Sequence, residues 1–128
     1  MTKKTIFWFR QDLRTYDNKW LIDAIKNSSS LLPIFIIDKN ITPDFWWLED
    51  KKFGFIREAL ENLDLEIKKL WWKWLKVFYD YPEKIIPELI EKYDIDYLFA
   101  NKSYSKKKKK RDEKISWILD EKEKDFFL

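Results

Sequence analysis

Four short apolar runs set the limits on this fold. Thr5 to Arg10, Leu31 to Ile37, Leu75 to Tyr79 and Tyr97 to Ala100 are each four to seven residues long, the length of a strand and too short for a helix. The first two are almost continuously apolar, as parallel strands buried on both faces are. Pro33, near the start of the second, argues against perfect ladder pairing there. Between the runs lie segments with helical signals. Asn18 to Asn27 carries Leu21, Ile22 and Ile25 on one side. Lys51 to Leu70 places Ile56, Leu60, Leu63, Ile67 and Leu70 at spacings of four, three, four and three, an apolar stripe. Pro82 suits the first turn of the next helix, whose buried face is Ile85, Ile86, Leu89, Ile90 and Tyr93. Pro87 lies inside it and is expected to bend it. Lys106 to Leu119 is a basic helix anchored by Ile115, Ile118 and Leu119. Asp125 to Leu128 begins a fifth strand, where the chain stops. Strands alternating with helices through mostly short connections give a parallel sheet with helices on both faces. The exception is Asp38 to Asp50, a long irregular connection holding Pro43 and the pair Trp46-Trp47.

Composition narrows the chemistry. The 128 residues are enough for one domain with a core. With 45% hydrophobic and 38% charged residues, the chain belongs among globular proteins rather than disordered ones. No apolar run approaches the roughly 20 residues that span a bilayer, so no membrane partner is expected. The N-terminus lacks the apolar length and small-residue cleavage site of a signal peptide, and a cytoplasmic location is the expectation. There is no cysteine and no histidine, which removes thiolate chemistry, the commonest metal ligand and the commonest general base. A net charge of +3 does not by itself argue for nucleic acid.

The turn from Arg10 to Asn18 is the best candidate site. It follows the first strand and ends in Asp17-Asn18, good helix N-cap residues. Loops at the carboxyl ends of strands carry the ligand sites of open α/β sheets. The turn lies where the strand order would reverse, beside the polar loop Asn101 to Ser105. Arg10 or Arg14 can meet a carboxylate inside the protein or an acidic ligand. The competing reading is that Arg10, Asp12, Arg14 and Asp17 pair with each other and hold the loop's shape. The run Lys106 to Arg111 can bind phosphates, but lysines at a helix N-terminus oppose its dipole, and a solvated helix face is the simpler reading. Glu58, Glu61 and Asp64 read as ordinary surface. Gly54 stands alone, so no glycine-rich phosphate loop exists. No nucleophile–base pair and no metal-ligand constellation is present, and the residues alone describe a ligand-binding α/β domain without catalytic machinery.

Phe7-Trp8-Phe9-Arg10-Gln11-Asp12-Leu13-Arg14-Thr15-Tyr16-Asp17-Asn18 resembles the opening signature of the photolyase/cryptochrome family, a W-F-R-x-D-L-R-x-x-D-N pattern. Leu32 to Asp38, Phe55 to Leu70 and Leu75 to Asp80 resemble the segments that follow it in that family. Ala100-Asn101-Lys102-Ser103-Tyr104 with Arg111-Asp112 resembles its A-N-x-x-Y…R-D pattern after the fourth strand. The resemblance covers essentially the whole chain. It implies a Rossmann-like, doubly wound, five-stranded parallel sheet of order 3-2-1-4-5, with helices on both faces and the chain truncated in strand 5. On this view residues 1–128 are the N-terminal α/β domain, and the helical FAD-binding domain is absent. The resemblance further implies a fragment of a deoxyribodipyrimidine photolyase that binds an antenna chromophore (folate, deazaflavin or flavin) and acts as scaffold. FAD and damaged DNA would be engaged only through a C-terminal domain, in cis or as a split partner. The chain alone is not expected to repair pyrimidine dimers. Arg10, Asp12, Leu13, Arg14, Asp17 and Asn18 carry over as signature residues lining the cleft, and Asn101, Lys102 and Ser103 as the antenna-cleft loop. The folate-type Asn-Glu pair is replaced here by Lys108 and Lys109, and the deazaflavin-type Asp by Ser103. The alternatives are a stand-alone nucleotide- or flavin-binding module and a protein-interaction domain, both without repair activity.

One compositional feature is abnormal. A chain of this length normally has about nine glycines, but this one has one glycine and eight tryptophans. Trp8 belongs to the signature. Trp20, Trp46, Trp47, Trp71, Trp72, Trp74 and Trp117 stand where small residues are expected, and Trp71-Trp72-Lys73-Trp74 falls at a helix end, where glycine is favoured. Some bacteria read the codon UGA as glycine, and reading such codons as tryptophan produces this pattern. The competing reading is an exposed aromatic patch for a partner.

Overall fold

The computed structural model describes residues 3–10, 13, 15, 18–39, 51–71, 74–101 and 106–128, with the backbone alone for 51–56, 70, 71 and 106–108. The elements run β1 (Lys4–Phe9), α1 (Lys19–Lys26), β2 (Ser30–Asp38), α2 (Lys51–Trp71), β3 (Lys76–Asp80), α3 (Pro82–Tyr93), β4 (Tyr97–Ala100), α4 (Lys106–Glu121) and β5 (Asp125–Phe127). The strands form one sheet in the order β3-β2-β1-β4-β5, and every neighbouring pair is parallel. Fold class and strand order are those expected from the sequence. β1 ends at Phe9, one residue short of the expected strand, so Arg10 opens the following loop. β2 extends one residue further than expected, to Asp38.

β1 explains why the sheet is covered twice. Ile6, Phe7, Trp8 and Phe9 are all almost completely buried, and successive side chains point to opposite faces. Ile6 and Trp8 join Ile34, Ile36, Leu98 and Ala100 in a core closed by Ile85, Ile86, Leu89 and Ile90 of α3 and Ile115 and Leu119 of α4. Phe7 and Phe9 join Leu31 and Phe99 in a second core closed by Leu21 and Ala24 of α1 and Leu63 and Ile67 of α2. Pro33 is accommodated inside β2. It sits opposite Phe7, and the ladder to β3 begins only after it, at Ile34–Lys76.

Among the described side chains, the helix faces follow the expected spacing in α2, α3 and α4 but not in α1; the side chains of Ile56 and Leu70 lie outside them. There Leu21 and Ala24 face the core, while Ile22 and Ile25 are 45% and 37% exposed. A spacing of three from Leu21 reaches Ala24, so the small residue marks the buried stripe and the two isoleucines flank it. α3 runs from Pro82 to Tyr93 without a break at Pro87 and ends on Asp94 in the left-handed region, φ 53°, a conformation that Asp tolerates better than most residues.

Two outcomes are expected. Ile86 is fully buried, so Ile86→Ala should destabilise the domain by about 2–5 kcal/mol, measured by urea denaturation. The Asp80 carboxyl lies below its ordinary value of 3.8, chiefly because the Tyr81 N–H donates to it, with Lys84 and Lys39 adding attraction. Its contribution is therefore complete above about pH 4 and fades as pH falls through the lowered value. Asp80→Asn should remove part of the loss of urea midpoint seen between about pH 5 and about pH 2.

Candidate functional site

Four buried charged groups meet at the carboxyl edge of the sheet, around the indole of Trp8. Arg10 follows the last residue of β1. Its guanidinium donates to Asp112 Oδ1 of α4 at 2.5 Å and to the carbonyl of Asn101, the residue after β4. Arg111, the neighbour of Asp112, donates to Asp38 at the end of β2 at 3.1 Å. Its Nε also lies 3.7 Å from Asp112. The four side chains are between 5% and 11% exposed. Two cations and two anions leave the cluster neutral, the condition under which buried charges persist. The Arg10 and Arg111 guanidinium carbons lie 5.0 and 4.8 Å from the centroid of the Trp8 ring, within reach of its negative face.

Asn18 ties this cluster to α1. It is 2% exposed and caps the helix in an extended conformation, its Oδ1 accepting from the Leu21 N–H at 3.3 Å. The Asn101 side-chain amide donates to the same oxygen at 3.0 Å. One polar network thus runs from β2 through α4 and the β1 loop to the β4 loop and the start of α1. In the sheet order, β1 lies between β2 and β4. The crossing from β3 at one edge to β4 beside β1 is the reversal at which open sheets form a ligand crevice.

Of the site residues expected from the sequence, the network brings together Arg10, Asn18 and Asn101. Leu13 packs against the core beneath α1 and α2. Asp12, Arg14, Asp17, Lys102 and Ser103 lie outside the described residues. Arg10 does meet a carboxylate inside the protein. That partner is Asp112, 102 positions away; pairing among Asp12, Arg14 and Asp17 lies outside the described residues. The basic run divides: Lys109 and Lys110 are exposed, while Arg111 turns inward and Asp112 is buried. Residue chemistry alone missed Arg111, Asp112 and Asp38 as site residues. Helical spacing held the signal, because Asp112, Ile115 and Leu119 are three and four apart and so share one face.

A described opening lies elsewhere. A groove of about 440 Å³ at the amino edge is lined by Lys4, Thr5, Leu32, Trp74, Lys76 and Tyr93, among others. Lys76 donates to the Tyr93 hydroxyl at 3.0 Å and draws that phenol below its ordinary range. Strand polarity places the groove at the end opposite the charged cluster. Among the described residues, no group of three or more acids could hold a metal, and no helix is long and apolar enough to cross a membrane.

Asp112→Ala would take away the carboxylate that Arg10 and Arg111 share. Breaking a buried pair from one side costs about 3–5 kcal/mol, and urea denaturation should show a loss of that size. The double variant Arg10→Met with Asp112→Leu should lose less than the sum of the two single changes.

Comparison with known proteins agrees with this architecture. Over residues 5–127 the sequence matches the family described as DNA photolyase. Cryptochrome DASH of Solanum lycopersicum is 31% identical over 102 residues, covering 76% of this chain and 18% of that protein. Deoxyribodipyrimidine photo-lyase of Agrobacterium fabrum is 28% identical over 107 residues, covering 80% of this chain and 20% of that protein. The crystal structure of an archaeal photolyase from Sulfolobus tokodaii with two FAD molecules superimposes with a TM-score of 0.81 at 29% identity, covering 97% of this chain and 28% of that one. The chain therefore spans between 18% and 28% of the length of these relatives. It belongs to the DNA photolyase family, as an N-terminal α/β domain of that family.

Proposed function

We propose that this domain binds an antenna chromophore of the flavin, deazaflavin or folate kind and serves as the scaffold for a C-terminal FAD-binding domain. That domain would be joined in cis or as a split partner. The observation that carries the reading is the charged cluster at the carboxyl edge. Arg111 Nε and Nη2 are buried and donate to no hydrogen-bond acceptor among the described residues. An anionic group rich in acceptors, such as the phosphate of a flavin nucleotide, suits those two nitrogens. The photolyase of Sulfolobus tokodaii, whose structure contains two FAD molecules, supports the flavin as the first candidate to test.

The residues have separate roles in this proposal. Arg10, Asn18 and Asn101 hold the crevice open at a fixed width. Leu13 seats the β1 loop on the core, and Asp12, Arg14 and Asp17 line the cleft around it. Lys102 and Ser103, in the loop after β4, contact the chromophore. The bound chromophore supplies light absorption and energy transfer. Splitting of pyrimidine dimers, contact with damaged DNA and the catalytic FAD belong to the C-terminal domain. The chain works only as part of that assembly, in the cytoplasm.

The purified chain should be mixed in turn with FAD, a deazaflavin and a methenyl folate, freed of unbound chromophore by gel filtration and scanned in the visible range. Retention of one of the three is expected. Arg111→Ala should weaken that retention about tenfold or more, the effect of losing a charge-assisted hydrogen bond. A chain that circular dichroism shows to be folded and that retains none of the three would overturn the reading.

A further inference from the structure

The tryptophans with described side chains divide into two kinds. Trp8 is 1% exposed and lies in the core between two guanidinium groups. Trp74 and Trp117 are 69% and 66% exposed, the highest values among the large hydrophobic residues described. Tryptophan is on average one of the most buried side chains, so two at this exposure need a reason. Trp20 lies between the extremes, at the rim of the second core, with its ring 5.8 Å from Phe99 and 6.4 Å from Phe127.

A partner surface would supply a reason if the exposed rings shared a face, but the topology separates them. Trp117 projects from α4, which packs against α3 and β5. Trp74 precedes β3, which lies at the opposite edge of the sheet from β5. Its indole meets the ammonium of Lys68 at 4.1 Å, a contact with its own domain's surface helix. No single apolar patch collects the two rings.

Chain geometry points the same way. α2 ends at Trp71 and β3 begins at Lys76. The connection has to reverse the chain within four residues, two of them Trp72 and Trp74. The residue after a helix end commonly adopts the left-handed conformation, where glycine is favoured because it has no Cβ. The one encoded glycine, Gly54, lies inside α2 instead. Exchanging tryptophan for glycine at seven positions leaves eight glycines and one tryptophan, close to the ordinary glycine content of about 7%. The tryptophan that remains is the one that is fully buried among those described.

We propose that positions 20, 46, 47, 71, 72, 74 and 117 are glycine in the protein as its cell makes it, through UGA codons decoded as glycine. Trp8 is then the sole indole. The amino-edge groove loses its Trp74 wall and opens toward solvent. The carboxyl-edge cluster is untouched, since none of its members is among the seven.

The protein purified from its own cells, digested and sequenced by mass spectrometry, decides the matter. Glycine is expected at all seven positions and tryptophan at position 8, with indole absorbance cut to about an eighth of that of the all-tryptophan chain in proportion to indole number. The coding DNA should carry UGA at the seven positions and UGG at position 8. Tryptophan recovered at any of the seven, or a UGG codon there, would overturn the proposal.

Discussion

Arg10 and Asp112 stand 102 positions apart and close the carboxyl edge of the sheet by meeting there. Removing two such groups from water costs several kcal/mol each, and only good geometry and further hydrogen bonds recover it. Asp112 takes one guanidinium from β1's loop and approaches a second on its own helix. Asp38 balances that second cation from β2. The Trp8 ring packs beneath both guanidinium groups. The cluster therefore fixes the register of α4 against three strands at once, which an apolar contact, being non-directional, does less sharply.

Asn101 and Asn18 are positioned by the same set. The Asn101 carbonyl accepts from Arg10, and its side chain donates to Asn18, which begins α1. α1 and α4 cover opposite faces of the sheet, and the network is the polar link between the two layers at the switch point. Below it, β1 divides its side chains between two cores. The rigid strand and the neutral cluster together hold the described polar groups of that edge in fixed positions. Preformed geometry of this kind spares a ligand the ordering cost that a flexible loop would impose.

Much of this was legible in the sequence. The short apolar runs gave the strands to within one or two residues, because parallel strands buried on both faces leave little room for polar residues. The stripe of Leu60, Leu63 and Ile67 gave the buried face of α2. Asn18 was visible as a cap because its side chain satisfies a free helix N–H. Two features escaped. Ile22 and Ile25 are more hydrophobic than Ala24, yet Ala24 faces the core, since close helix–sheet approach selects for size as well as hydrophobicity. Arg111 and Asp112, named by the family pattern after β4, were hidden to residue chemistry in a run of lysines, whose charge suggests solvent. Only the phase of the helix, read backward from Ile115 and Leu119, separates the inward pair from the outward lysines. Long-range pairing such as Arg10–Asp112 leaves no local pattern, so the identity of Arg10's partner had to come from the structure.

In the proposed function the carboxyl edge around Arg10, Asn101, Arg111 and Asp112 faces the ligand. Amide chemical shifts of the labelled chain, followed during titration with FAD, test it most directly. Saturable shifts are expected at those four residues and at Asn18, with Lys4, Ser30 and Lys76 at the amino edge unmoved. Shifts confined to the amino edge, or no saturable shift at the four residues, would contradict it.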